Sequence, residues 1–145
     1  MTVTRILFLC FVLFSGLSAS ETPKLTIKVE NIEELSGNIR IGLFNTKDNF
    51  LKEKSIFKRY KIPVKNTVET IVIDDLPQGE YAFMLYHDKN SDGKMNRNLI
   101  GIPQEPFSFS NNVRPKFSLP TFEDCKFALK QNTTMKIQLK YYNQK

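Results

Sequence analysis

Along most of the chain apolar residues recur at every second position, and a period of two marks a strand with one buried face. Leu25, Ile27 and Val29 alternate with Thr26, Lys28 and Glu30, and Ile39, Ile41 and Leu43 alternate with Arg40, Gly42 and Phe44. Residues 33–38 between them carry turn chemistry centred on Ser36-Gly37, so the two strands read as an N-terminal hairpin. Residues 45–61 are less regular. There Phe50, Leu51, Ile56, Phe57 and Tyr60 line one side of a short helical turn or of a loop folded onto the core. Strands are expected over 64–66 and over the β-branched run 68–73, followed by a break at Asp74-Asp75-Leu76-Pro77-Gln78-Gly79. Tyr81, Phe83 and Leu85 then alternate with Ala82, Met84 and Tyr86 in a strand ending at His87. From 88 to 120 no period is sustained, and a loop of that length is functional or packed by its own side chains. Residues 122–129 and 133–142 close the chain as two more strands. The expected fold is all-β: a single antiparallel β-sandwich of about seven strands with a long loop after His87.

The first twenty residues stand outside this pattern. Arg5 precedes an uncharged apolar run over 6–14, and Ser18 and Ser20 occupy the −3 and −1 positions of a cleavage site. The run is shorter than the roughly 20 residues a bilayer span needs. Residues 1–20 are therefore expected to be a signal peptide, with a retained anchor as the competing reading, and residues 21–145 the exported domain. Cys10 lacks the small residues of a lipoprotein site just before it, and its removal leaves Cys125 with no disulfide partner in the chain. Cys125 reads as a small buried hydrophobe, or else as a reactive thiol or an intermolecular partner.

Composition narrows the chemistry. The 145 residues suffice for one domain, and 41% hydrophobic with 25% charged residues is a globular balance. One His and two Cys exclude a His/Cys zinc cluster and leave little room for Ser-His-Asp or Cys-His catalysis. The net charge of +6 is spread over Lys52, Lys54, Lys58, Arg59 and Lys61 among others, interleaved with apolar residues. Scattered charge of this kind is a solvated surface rather than a nucleic-acid face. The expected partner is an envelope component or polysaccharide, with no nucleic acid and no transmembrane segment once the leader is gone.

One stretch carries candidate chemistry. Asp88, Asn90 and Asp92 followed by Gly93 match the first half of a calcium loop, D-x-N-x-D-G, in which alternate oxygens converge on one ion. Lys94 would lend its backbone carbonyl, Asn96 its side chain, and Glu105 the completing carboxylate, because Leu99 stands where an EF-hand has its Glu. Lys89, Lys94 and Arg97 offset the acidic charge, so any Ca²⁺ affinity belongs at the weak end, on the order of 10⁻⁴–10⁻³ M. The other reading is a self-bonded turn whose Asp and Asn side chains cap backbone N–H groups. His87 is read as structural at the loop base, Asp74-Asp75 as turn capping, and Phe107 with Phe109 as a plug for the sandwich end, against a ligand-contacting rim that they would form with Ser108, Ser110, Asn111 and Asn112.

Four segments in order, Leu76-Pro77-Gln78-Gly79-Glu80-Tyr81-Ala82, His87 through Lys94, Gly101-Ile102-Pro103-Gln104-Glu105 and Phe109-Ser110-Asn111-Asn112, resemble the bacterial domain-of-unknown-function family 2141. The segment 120–125 is similar to it too, with Cys125 where the family usually has a small residue such as Ala and Pro106 where it tends to have Gly. The resemblance implies export and a prealbumin-like or Ig-like sandwich, and it supplies no activity, substrate or catalytic residue. The expected function is a non-enzymatic, exported binding or accessory module. The alternative is an enzyme or small-ligand carrier with a pocket at His87, Asp88 and Glu105.

Overall fold

Alternating burial sorts the chain into two sheets. A computed structural model describes residues 22–141; the leader expected over 1–20 lies outside the described residues. Its strands are β1 (Leu25–Glu30), β2 (Asn38–Phe44), β3 (Lys58–Pro63), β4 (Glu69–Ile73), β5 (Gly79–Asp88), β6 (Phe107–Phe109), β7 (Phe127–Leu129) and β8 (Thr133–Gln138). One sheet has the order β4-β1-β8 and the other β3-β2-β5, with β6 and β7 pairing successive stretches of the far edge of β5. The protein is all-β and sandwich-like, as the period of two requires.

Several local expectations fail for physical reasons. β1 and β2 make no hairpin: β1 pairs with β4 and β8, β2 with β3 and β5, so residues 31–37 carry the chain from one sheet to the other. The β1–β8 pairing is parallel, which departs from a purely antiparallel sandwich. The strand expected at 64–66 lies earlier, at β3, whose Lys58, Arg59 and Lys61 are an edge strand's charges. The start of the expected 122–129 strand is instead a helical turn, α1 (Phe122–Cys125), held by a capping box in which Thr121 and Asp124 serve each other's backbone N–H.

Two hydrophobic layers result. Leu25, Ile27, Ile39, Ile41, Phe83, Leu85 and Ile137 meet between the sheets and are almost wholly withdrawn from solvent. On the outer face of the larger sheet Phe44, Ala82, Phe107, Phe109, Phe122 and Cys125 form a second cluster, roofed by Phe50, Ile56, Met95 and other loop residues. Phe107 and Phe109 are thus buried on the outer face of the larger sheet and are not the plug expected at the end of the sandwich. Burial pushes the Cys125 thiol up to about 12, which makes it a poor nucleophile.

Candidate functional site

The polar loop begins where β5 ends, and the pleat decides which side chains meet. Successive residues of a strand face opposite ways, so Ala82, Met84, Tyr86 and Asp88 face the outer layer while His87 faces the inner one. Asn38 pairs with Asp88 in register, which puts Arg40 on the same outer face two residues along β2. Arg40 Nε donates to Asp88 Oδ2 at 2.5 Å, and the Gly93 N–H donates to the same oxygen at 3.0 Å. Gly93 has φ +82°, and a Cβ there would stand 3.2 Å from Arg40 Nη2. A side chain at 93 would therefore strain the turn that brings its N–H to Asp88. Gly37 is tighter still: with φ +68°, its Cβ would lie 2.0 Å from the Asp88 carbonyl oxygen.

Beyond Asp88 the loop bonds to itself. Asn90 Oδ1 accepts from the Asp92 N–H at 3.2 Å, and Asp92 Oδ1 from the Lys94 N–H at 2.8 Å. The other oxygen of Asp92 takes the side-chain amides of Asn90 and Asn96, each at 3.1 Å. Glu105 reaches back from the far end, Oε1 accepting from the Lys89 N–H at 3.1 Å and Oε2 from the Asn96 N–H at 3.2 Å. Asp88, Asn90, Asp92, Lys94, Asn96 and Glu105 are thus brought into one hydrogen-bonded frame, as their spacing suggested. Asp88 and Glu105 are buried, whereas Asn90, Asp92 and Lys94 are exposed.

Burial raises the pKa of Glu105, helped by the charges of Asp88 and Asp92 and opposed by the two N–H donors. Asp92 is shifted the other way, chiefly by the Lys94 N–H and then by Asn96 and Asn90. Two loop oxygens, Asp88 Oδ1 and Asn96 Oδ1, are buried without a hydrogen-bond partner. They are the atoms on this frame that could turn to a cation or a water. Among the described residues no group of three or more His, Cys, Asp or Glu side chains is arranged to hold a metal ion.

His87 is buried on the opposite face, its Nε2 lying 2.6 Å from the Ser36 carbonyl oxygen and so carrying the proton. None of His87, Asp88 and Glu105 lines the clefts around Phe117, Arg114, Leu51 or Arg59. Asp75, expected to cap its turn, ties that turn to β3, its carboxylate taking Lys58 Nζ at 2.5 Å and the Tyr60 hydroxyl at 2.8 Å.

Sequence reasoning missed two contributors. Arg40 looked like one more solvent-facing alternate of β2; its role follows only from the β2–β5 register. The Ser110-Asn111-Asn112 run acts as a staple. Ser110 Oγ accepts from the Phe83 N–H at 3.0 Å and donates to the Cys125 carbonyl at 2.7 Å. Asn112 offers its side-chain amide to the edge of β8, donating to the Lys136 carbonyl at 2.8 Å and accepting from the Gln138 N–H at 2.9 Å. Asn111 and Asn112 adopt φ of 60° and 53°, and Asn tolerates this region better than most non-glycine residues.

Fold and loop together define a sandwich-like β domain whose long polar excursion is folded back onto the end of its larger sheet. The family model described as "Uncharacterized protein conserved in bacteria (DUF2141)" matches residues 27–138, from within β1 to the end of β8. The chain belongs to that family. Neither a curated protein nor a solved structure matches it.

Proposed function

We propose that this protein is an exported, non-enzymatic binding or accessory module of the bacterial envelope or secreted space, and that its 88–105 loop is a structural frame rather than a catalytic centre. The observation that carries this reading is the occupation of the loop's buried carboxylates. Asp88 is held by Arg40 and a backbone N–H, and Glu105 by two backbone N–H groups. General acid–base work needs a titratable group within reach of substrate. Here the two buried acids are turned toward the protein, and His87 lies across the sheet from them. The export part is supported by the leader-like sequence of residues 1–20, with its uncharged run and small residues before position 21. Among the described residues no helix is long and apolar enough to cross a membrane.

One observation favours a second reading, a Ca²⁺ ion at the loop: the buried and unpartnered Asp88 Oδ1 and Asn96 Oδ1. The first reading predicts the same melting temperature in millimolar Ca²⁺ and in chelator. With about 10 mM Ca²⁺ a site of the expected Kd, on the order of 10⁻⁴–10⁻³ M, would instead add about 1.4–2.7 kcal/mol, and that gain would vanish in Asp92→Ala. Export is tested separately, by expressing the full chain in a bacterium and weighing the protein in the exported fraction. A mass starting at residue 21 supports the reading, and an intact N-terminus confined to the cytosol overturns it.

A further inference from the structure

The outer flank of the same loop presents a surface that the frame itself does not use. Residues 97–103 fold back as a tight turn: Arg97 bridges Pro103, the Asn98 N–H donates to the Ile102 carbonyl at 2.9 Å, and the Gly101 N–H donates to the Asn98 carbonyl at 2.9 Å. Asn98 Oδ1 accepts from the N–H groups of Ile100 and Ile102, at 3.1 and 2.9 Å. This well-bonded turn holds two large aliphatic side chains in water, Leu99 at 106% and Ile100 at 79% relative exposure. Across a groove of about 280 Å³, floored by Met84, Phe107 and Phe109, the segment 115–119 holds out Phe117 at 103% and Leu119 at 63%. Single exposed apolar residues are ordinary on a protein surface, but three large ones at one groove, Ile100, Phe117 and Leu119, with Leu99 beside Ile100 on the same turn, are not.

The charge within the two segments themselves is basic, and the acid across the neighbouring cleft is Glu53. Segments 93–104 and 106–122 contain Lys94, Arg97, Arg114 and Lys116 and no Asp or Glu. All four cations are exposed, and Arg97 and Lys116 line the groove itself. Apolar tips flanked by Arg97 and Lys116 match a leaflet of anionic phospholipid, whose acyl region takes the tips while its headgroups meet the Lys and Arg side chains. A protein or polysaccharide partner would gain from Arg97 and Lys116 only by placing acids opposite them, whereas an anionic leaflet supplies its charge wherever the tips enter.

We propose that the 97–101 turn and the 114–119 segment form a membrane-docking tip that inserts Leu99, Ile100, Phe117 and Leu119 into an anionic phospholipid surface. The proposal names the envelope component for the binding-module reading above and rests on that reading for its setting, while its test needs neither export nor the state of the Asp88 frame. Electrostatic attraction near such a surface is worth about fivefold in partitioning per Lys or Arg, and it fades within a Debye length as salt rises.

The chain has no Trp, so Phe117→Trp places its only indole at the tip, and Val72→Trp on β4 is an exposed control. Vesicles of phosphatidylglycerol with phosphatidylcholine should blue-shift the emission of Phe117→Trp and leave Val72→Trp unmoved. Phosphatidylcholine alone should shift neither. Arg97→Glu with Lys116→Glu in the Phe117→Trp background should weaken binding about twentyfold or more, as should raising the salt. All variants share one N-terminus, so any lipid affinity of the leader cancels. An unshifted indole at 117, unchanged binding by the charge-reversed variant, or self-association that buries the indole without lipid would each overturn the proposal. Failure of the vesicle test would leave the export result standing, and failure of export would leave the vesicle result standing.

Discussion

The two faces of the larger sheet are both dry, yet they are dry for different reasons. The inner face meets the β4-β1-β8 sheet, and the residues between the two are mostly aliphatic ones that alternate along β2 and β5 on one side and β1 and β8 on the other. The outer face meets no sheet: its Phe44, Phe107 and Phe109 are covered by turns, by Phe122 and Cys125 of the four-residue α1 and by irregular chain. Rings stack edge to face there, Phe44 on Phe50 with centroids 5.0 Å apart and Phe107 on Phe109 at 5.8 Å. A β-sheet can be covered by regular partners that bury many small contacts, or by a few large rings held in place by side-chain to backbone bonds. The second solution leaves the loop ends free to carry the Asp88 frame and the exposed tip.

If the outer cluster is a second core, truncating its centre should cost as much as truncating the first. Phe109→Ala and Leu85→Ala remove fully buried side chains from the outer and inner faces respectively. Each is expected to cost about 3–5 kcal/mol in a urea melt, as large-to-small core changes do. A Phe109→Ala loss below about 1 kcal/mol would reduce the outer layer to a loose lid, and the contrast between the faces would become one of core against cover.

The next effect is electrostatic. Asp88 is fully buried while its partner Arg40 is 27% exposed at the side chain. Removing one member of a buried pair strands the other, so Arg40→Met should cost roughly 2–4 kcal/mol, less than a fully buried pair because Arg40 keeps part of its hydration. The Arg59–Glu53 pair is exposed on both sides, and Arg59→Met should cost no more than about 0.5 kcal/mol. Similar losses from the two variants would mean that the Asp88 end is as soft as the open surface.

How much of this was legible in the sequence follows the same division. Period two marked Leu25–Val29, Ile39–Leu43, Tyr81–Leu85 and Met135–Ile137 because each of these strands buries one face against the other sheet. It could not assign partners. A parallel β1–β8 pairing joins residues 108 apart and leaves no local trace, which is why the hairpin expectation for β1 and β2 failed. β3 was hidden because an edge strand with Lys58, Arg59 and Lys61 shows charge where a central strand shows Val or Ile. α1 had a readable signal that was passed over: Thr121 followed three residues later by Asp124, the spacing of a capping box. At the site, spacing gathered Asp88, Asn90, Asp92, Asn96 and Glu105 correctly, since their bonds are local or nearly so. Arg40 arrives from a distant strand and could be found only through register.

The smallest effect separates the buried acid of the frame from an acid at the opposite kind of place, the Asp74-Asp75 turn. Glu105 is raised, chiefly by burial, while Asp75 is lowered, chiefly by its bond to Lys58. The signs give opposite pH dependence. A carboxyl raised in the folded state contributes stability that is present below its unfolded value, near 4.3 for Glu, and is lost as pH rises through the folded value. A carboxyl lowered in the folded state contributes stability that is present above its unfolded value, near 3.9 for Asp, and is lost as pH falls through the folded one. Melts of wild type, Glu105→Gln and Asp75→Asn from neutral pH into the acid carboxylate range read this directly. On acidification the wild type should gain on Glu105→Gln and lose ground against Asp75→Asn. Glu105→Gln also trades an acceptor for an amide facing an N–H donor, an offset of about 1–3 kcal/mol that is independent of pH. The slope therefore carries the information. A wild type that falls behind both variants as pH drops would mean that the two N–H bonds outweigh burial at Glu105, making the frame an anion hole rather than a desolvated box.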